Sequence, residues 1–215
     1  AFIWSFSIKE PSTAPSAQKI LDPLLPILKR PVVFSFFIIE FIMLFAQAPF
    51  YSFYSNYLKL AGYSTTQIGF LWSVGVIAEI IMFNYANFFL NRFSWRSLVA
   101  LCLIMTSIRF ILAGLFSESF IIQFISQTFH AFSFGLFHII AMRVILQNFA
   151  AKQQGRGQAL YSTMWGLGVA SGSILAGQYW EKLSGEYIFI LAGFSALLGL
   201  LLINFLPKTL QTIQR

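Results

Sequence analysis

Long apolar runs separated by short polar connectors make up the chain from residue 32 onward. They fall at roughly 32–60, 66–90, 97–116, 120–148, 156–181 and 187–206, and each reaches the ~20 residues an α-helix needs to cross a bilayer's hydrocarbon core. Several exceed that length, which permits tilt. A backbone facing lipid has to satisfy its own hydrogen bonds, so all six are predicted as α-helices and the fold class as an all-α membrane protein. Upstream, AFIWSFS (1–7) has neither a preceding basic region nor a cleavage site. It is read as the tail of an earlier transmembrane helix, which makes the chain part of a larger protein. Residues 8–31 carry Pro11, Pro15, Pro23, Pro26 and Pro31 among Ser, Thr and mixed charge. That is linker composition, with a short surface helix near its end. The expected organisation is therefore a linker over 8–31, a six-helix transmembrane domain over 32–206 and a tail over 207–215.

The polar positions inside these runs are few, and they align. At 100° per residue, Glu40, Gln47, Tyr51 and Tyr54 fall within about 60° on the first span. Trp72, Gly75, Glu79 and Phe83 cluster on the second, and Cys102, Met105, Thr106 and Arg109 on the third. Gln123, Gln127, His130, Phe134 and His138 occupy a wedge of about 80° on the fourth. Four such stripes imply a cavity between four helices. Glu79, Arg109 and His130 lie roughly 20, 12 and 16 Å from their outer helix ends, in the middle third of the membrane. His138 and Glu40 fall nearer the opposite end. On the fifth span Gly168 and Gly172 form a GxxxG pair, the pattern that lets two helix backbones approach closely.

Composition supports the membrane assignment: 58% of residues are hydrophobic, 10% are charged, and 26 are phenylalanine. The net charge of +7 does not point to nucleic acid, because the basic residues sit in connectors instead of forming a solvated patch. Lys9, Lys19, Lys29, Arg30, Arg92, Arg96, Arg143, Lys152, Arg156, Lys208 and Arg215 belong to one set of connectors, and only Lys59 and Lys182 to the other. Eleven against two predicts that both ends of the six-helix unit are cytoplasmic, in a multi-pass protein of the cell's inner membrane. The single cysteine, Cys102, lies within an apolar run, which leaves no disulfide framework or cysteine metal cluster. No catalytic residue, metal site or cofactor is expected. Without an HExxH, a Ser–His–acid set or paired aspartates, Ser133 and Ser162 read as helix-packing hydroxyls and an intramembrane hydrolase is disfavoured.

An ionisable side chain at the bilayer centre costs about 2.5–3.5 kcal/mol on insertion scales, so three in succession mark a functional site. A carboxyl in oil tends to keep its proton, and an approaching guanidinium favours its release. Movement that varies the Glu79–Arg109 distance would thus convert conformation into proton affinity. His130 adds a second proton-binding group, and Arg109 could clamp a solute carboxylate through two parallel hydrogen bonds. Glu79, Arg109 and His130 are the candidate proton-coupling residues. Gln47, Tyr51, Tyr54, Trp72, Arg109, Gln127, Phe134 and His138 are the candidate solute-binding residues. Each also has a plainer reading: a Glu–Arg tie between helices, a packing histidine, or interface aromatics.

The stretches YLKLAGYSTTQIGFLWSVGVIAEI (57–80), TSIRFIL around Arg109, HAFSFGLFH (130–138) and RGQALYS (156–162) resemble the carboxy-terminal six-helix half of a major facilitator superfamily transporter. NRFSWRS (91–97) is a weaker echo of that superfamily's cytoplasmic basic loop. Within the superfamily the chain is most similar to the proton-symporter group that includes lactose permease, nucleoside symporters and the phenylpropionate transporter. The resemblance implies a twelve-helix fold, alternating access, and a site completed by the amino-terminal six-helix half. It also implies proton coupling by an acid, an arginine and a histidine on the second, third and fourth helices of this half, which Glu79, Arg109 and His130 match. Phe134 stands one turn after His130 where that scheme has a further acid, so a one-acid pathway is expected. The solute reads as an aromatic carboxylate such as phenylpropionate, with a sugar or nucleoside as the alternative. A passive channel or membrane scaffold with a structural Glu–Arg pair is the alternative of another class.

Overall fold

The computed structural model describes residues 23–207, so the expectations for 1–7, most of the linker and nearly all of the tail lie outside the described residues. A short helix α1 (Leu25–Leu28) leads into α2 (Pro31–Leu60), α3 (Thr65–Arg92), α4 (Trp95–Leu115) and α5 (Phe120–Asn148). The helix Gln154–Leu197 is broken at Ser184 (φ 61°, ψ 157°) into α6 (154–183) and α7 (185–197), and α7 runs on as a tighter 3₁₀ segment, Leu198–Phe205. α2–α7 are the six expected spans, and no strand occurs among the described residues.

Helix starts follow local chemistry. Pro31 sits at the first position of α2, where no N–H is needed. Ser64, Ser94 and Ser119 cap α3, α4 and α5 by accepting hydrogen bonds from the amides of Gln67, Ser97 and Ile122. Gln67 returns the bond to the Ser64 amide at 2.9 Å, completing a capping box. The connection from α2 to α3 turns at Gly62, whose φ of 91° suits a residue without Cβ.

One expectation needs correcting: α5 is not α-helical throughout. Between Phe120–Thr128 and Phe137–Asn148 it opens into a π-helical segment, Ala131–Leu136. The wider turn lies where Gly135 presses on α3, with the position of its absent Cβ 3.3 Å from Glu79 Cγ and Met82 Cβ. Apolar periodicity does not encode an extra residue in the hydrogen-bond ladder, so this segment was silent in the sequence.

Small residues set the helix spacing. A Cβ on Gly168 would collide with the Phe41 carbonyl (2.7 Å) and Leu44, and one on Gly172 with the Phe45 carbonyl and Ala48. The GxxxG pair therefore seats α6 directly on the backbone of α2, as its spacing implied. Gly114 and Gly193 play the same part between α4 and α7, against the Glu186 and Ser107 carbonyls. Gly75 on α3 faces Gln127 and His130 on α5, the counterpart of Gly135 facing α3. At one end of the bundle Arg30 donates to the Asn148 carbonyl and Arg96 to the Asn204 and Leu206 carbonyls. At the other, the Tyr57 hydroxyl donates to the Gly114 carbonyl at 2.7 Å. α3 is sparsely covered, exposing Ile77, Ile80, Ile81, Tyr85 and Phe88.

Because Gly172 meets backbone rather than a flexible side-chain tip, Gly172→Leu should cost about 2 kcal/mol by overpacking. Thermal unfolding in detergent reads this as a lowered Tm. Gly166→Ala, with nothing within 4 Å of the new methyl group, should leave the Tm unchanged or slightly raised.

Candidate functional site

Arg109, on α4, is fully buried, and the site is arranged around the needs of its guanidinium. Arg109 donates through Nη1 to His130 Nδ1 (3.0 Å) and Ser133 Oγ (3.1 Å), and through Nη2 to Gln127 Oε1 (3.2 Å). Its Cζ lies 4.0 Å from the centre of the Phe50 ring, a cation–π contact with α2. The three acceptors, at 127, 130 and 133, form one stripe on α5. Nε has no hydrogen-bond partner.

Arginine only donates, so His130 Nδ1 must accept and the ring proton sits on Nε2. Nε2 faces Glu79 Oε2 on α3 at 3.7 Å, an electrostatic contact too long for a hydrogen bond. The glycine contacts explain this approach: Gly75 and Gly135 bring α3 and α5 together on either side of Glu79. Glu79 and Arg109 therefore make no direct contact, because His130 stands between the two charges. The guanidinium is held on the far side of the ring by Ser133 and Gln127. Ser133, read as a packing hydroxyl, is instead a partner of Arg109 and also accepts from Gln47 Nε2 at its carbonyl (3.0 Å).

A cavity of about 260 Å³ opens beside this cluster, lined by Phe50, Tyr51, Trp72, Glu79, Gln127, His130, Phe134 and Trp165, with Gly75 and Val76. It brings together six of the expected site residues. The others stand elsewhere. Arg109 lies behind the wall with both terminal nitrogens occupied, so the two-pronged clamp is already filled in this conformation. Gln47 is buried and bonded to the Ser133 carbonyl, and Tyr51 donates to its Oε1 at 3.4 Å. The Tyr54 hydroxyl donates to Gln123 Oε1 (3.0 Å), and Gln123 in turn donates to the Ala113 and Phe116 carbonyls. His138 lies beyond Phe134, its ring parallel to that phenyl, and its Nδ1 is 2.9 Å from the Tyr161 hydroxyl.

Two aromatic lining residues were missed. Trp165 follows Tyr161 and precedes Gly168 at helical spacing, so the close-packed face of α6 could have revealed it. Phe50 is one apolar residue among many, and nothing in its sequence context marks it as the platform for Arg109. Inside the wall Gln127 Nε2 has no hydrogen-bond partner, so a buried donor beside the cavity is left open.

Six membrane-length helices that bury a carboxyl, an imidazole and a guanidinium beside an aromatic cavity define a membrane transport domain. The chain belongs to the MFS_1 like family, whose model matches residues 5–191. This is a major facilitator family of transporters, not enzymes. Residues of the chain are 32% identical over 151 positions to a protein described as "Probable 3-phenylpropionic acid transporter" from Escherichia coli (strain K12). That match covers 68% of this chain but 38% of the relative's length.

Tyr54 spends its hydroxyl on Gln123, away from the cavity. Tyr54→Phe should cost about 1 kcal/mol of stability and leave solute affinity within about twofold, as read by thermal unfolding and by binding to the full-length protein.

Proposed function

We propose that this chain is the carboxy-terminal half of a proton-coupled symporter of a small organic solute, best matched by an aromatic carboxylate such as phenylpropionate. The observation that carries this reading is the placement of Glu79, His130 and Arg109 in series beside an aromatic-walled cavity. Major facilitator membership and the name of the relative point the same way. The cavity's volume of about 260 Å³ is slightly below the usual ~300–1,000 Å³ of small-molecule sites. The amino-terminal six-helix half supplies the opposite wall, and alternating access exposes the site to each side of the inner membrane in turn. The bias of basic residues toward one set of connectors supports a cytoplasmic position for both ends of this half.

Charge explains the coupling. An anionic solute entering this cavity meets the Glu79 carboxyl, and two carboxylates at close range in a low dielectric repel strongly. A proton on Glu79 removes that repulsion, so solute anion and proton bind together. The unpartnered Gln127 amide is buried here and donates to the solute carboxylate once the side chain turns into the cavity, while Phe50, Trp72, Phe134 and Trp165 pack on the solute ring. His130 links the acid to the arginine. While Nδ1 accepts from Arg109, its proton remains on Nε2, facing Glu79. Protonating Nδ1 breaks that one bond and leaves Arg109 on Ser133 and Gln127. Because Nε2–H faces Glu79, the acid passes its proton to the free nitrogen only when the ring turns over, and that second protonation removes one Arg109 partner and alters the α4–α5 contact.

In proteoliposomes of the full-length protein, Glu79→Gln should abolish uphill accumulation driven by a pH gradient while retaining solute exchange. Aromatic acids, nucleosides and sugars are compared as solutes. Uphill accumulation at the wild-type level would remove Glu79 as the coupling acid. Arg109→Lys keeps the charge but loses the planar fork that spans Gln127, His130 and Ser133, and uptake should fall at least tenfold.

A further inference from the structure

The central cluster is not the only acid inside the bundle. Glu40 on α2 has no exposed surface, and neither carboxyl oxygen has a hydrogen-bond partner. It lies roughly 13 Å from the start of α2, at 1.5 Å per residue. That is the terminus-bearing end of the bundle, well away from the solute cavity, whose lining does not include it. A carboxylate buried with neither donor nor cation is among the most costly groups a protein can hold. A carboxylic acid that carries its proton avoids most of that cost.

Two titratable groups, one on α5 and one on α6, form a connected pair. Tyr161 on α6 lies within electrostatic range of Glu40, and its hydroxyl is hydrogen-bonded to His138 Nδ1 on α5 at 2.9 Å. Tyr51 and Glu79 act on Tyr161 from further along the bundle. His138 is ring-stacked on Phe134, which is ring-stacked on His130, so the pair adjoins the central cluster through one aromatic ring. A divalent metal needs several hard ligands, and among the described residues no group of three or more His, Cys, Asp or Glu side chains could supply them. The ligand that fits one isolated carboxyl is a proton.

We propose that Glu40 is a second proton-binding site, which hands its proton through Tyr161 to His138 and takes it back by the same path. The proposal rests on the proton-coupled reading above and adds a second station to its single acid. Release occurs when Tyr161 approaches Glu40 across the α2–α6 face. The Tyr161 hydroxyl gives its proton to His138 Nδ1 as it takes the one leaving the Glu40 carboxyl. A carboxylate, a neutral tyrosine and an imidazolium result. The reverse sequence reloads Glu40.

Two measurements on the full-length protein test this and separate it from the central reading. Infrared difference spectra recorded across a pH titration should contain a protonated-carboxyl band that Glu40→Gln removes and Glu79→Gln does not. In proteoliposomes, Glu40→Gln should lower pH-gradient-driven uptake at least tenfold and leave solute counterflow within twofold of wild type. Tyr161→Phe, which removes one oxygen from a packed ring, should lower driven uptake several-fold and serves if Glu40→Gln does not fold. Driven uptake unchanged in Glu40→Gln, or in Tyr161→Phe where that variant stands in, overturns the proposal even if Glu79→Gln abolishes it. So does the absence of a Glu40-dependent band at every pH. If the wild type moves no protons with solute, the symport reading fails and the relay with it.

Discussion

A guanidinium in oil constrains this bundle more than any other group. Arg109 cannot shed its charge cheaply, and each unsatisfied N–H in a low dielectric carries a penalty. The chain meets the demand at both terminal nitrogens with acceptors spaced along one stripe of α5, and lays the guanidinium on the face of Phe50 on α2. Those contacts fix the rotation of α5 about its axis, and the rotation fixes which nitrogen of His130 meets Arg109. The tautomer follows, and with it the Nε2 proton directed at Glu79. A chemical asymmetry at one imidazole thus descends from the donor geometry of one arginine.

Helix spacing makes these polar contacts possible. Lipid supplies no hydrophobic force to drive membrane helices together, so close packing has to come from small residues and shape. The α3–α5 contact uses a glycine on each helix, which brings Glu79 within 3.7 Å of His130. On the other side of the bundle, Gly168 and Gly172 set α6 against the α2 backbone, which places Trp165 near Tyr51 (ring centroids 6.0 Å apart). The aromatic wall of the cavity is thus a by-product of two tight helix crossings.

Much of this was legible in the sequence. Span number and limits followed from length and apolarity, since the bilayer imposes a minimum run and forbids an open backbone. The membership of the central cluster followed from the rarity of ionisable residues at mid-span. Order within the cluster was not legible. Helical projection assigns a face but not a reach, so Glu79 and Arg109 could be predicted on facing stripes without revealing His130 between them. The π segment was hidden for a related reason, since an extra residue per turn leaves no mark within AFSFGL, where Ser133 alone is polar. Ser133 looked like any small hydroxyl in a helix until the guanidinium was seen against it. Gln47 and Tyr54 shared the polar face but spend their hydrogen bonds within the wall, a distinction that depends on distances of a few ångström.

The histidine between acid and arginine alters the logic of the proposed coupling. With a direct Glu–Arg pair, proton binding would be a two-state competition: either the guanidinium or the proton neutralises the carboxylate. With His130 interposed, the acid does not compete for the guanidinium itself. It acts on the imidazole, whose two nitrogens cannot both donate while one of them accepts from Arg109. The proton state of the cavity is then reported to α4 by a hydrogen bond that exists or does not, rather than by a field that fades with distance. A contact of this kind is suited to a bundle that alternates between two packed arrangements, because packed helix interfaces switch between discrete states and do not deform continuously.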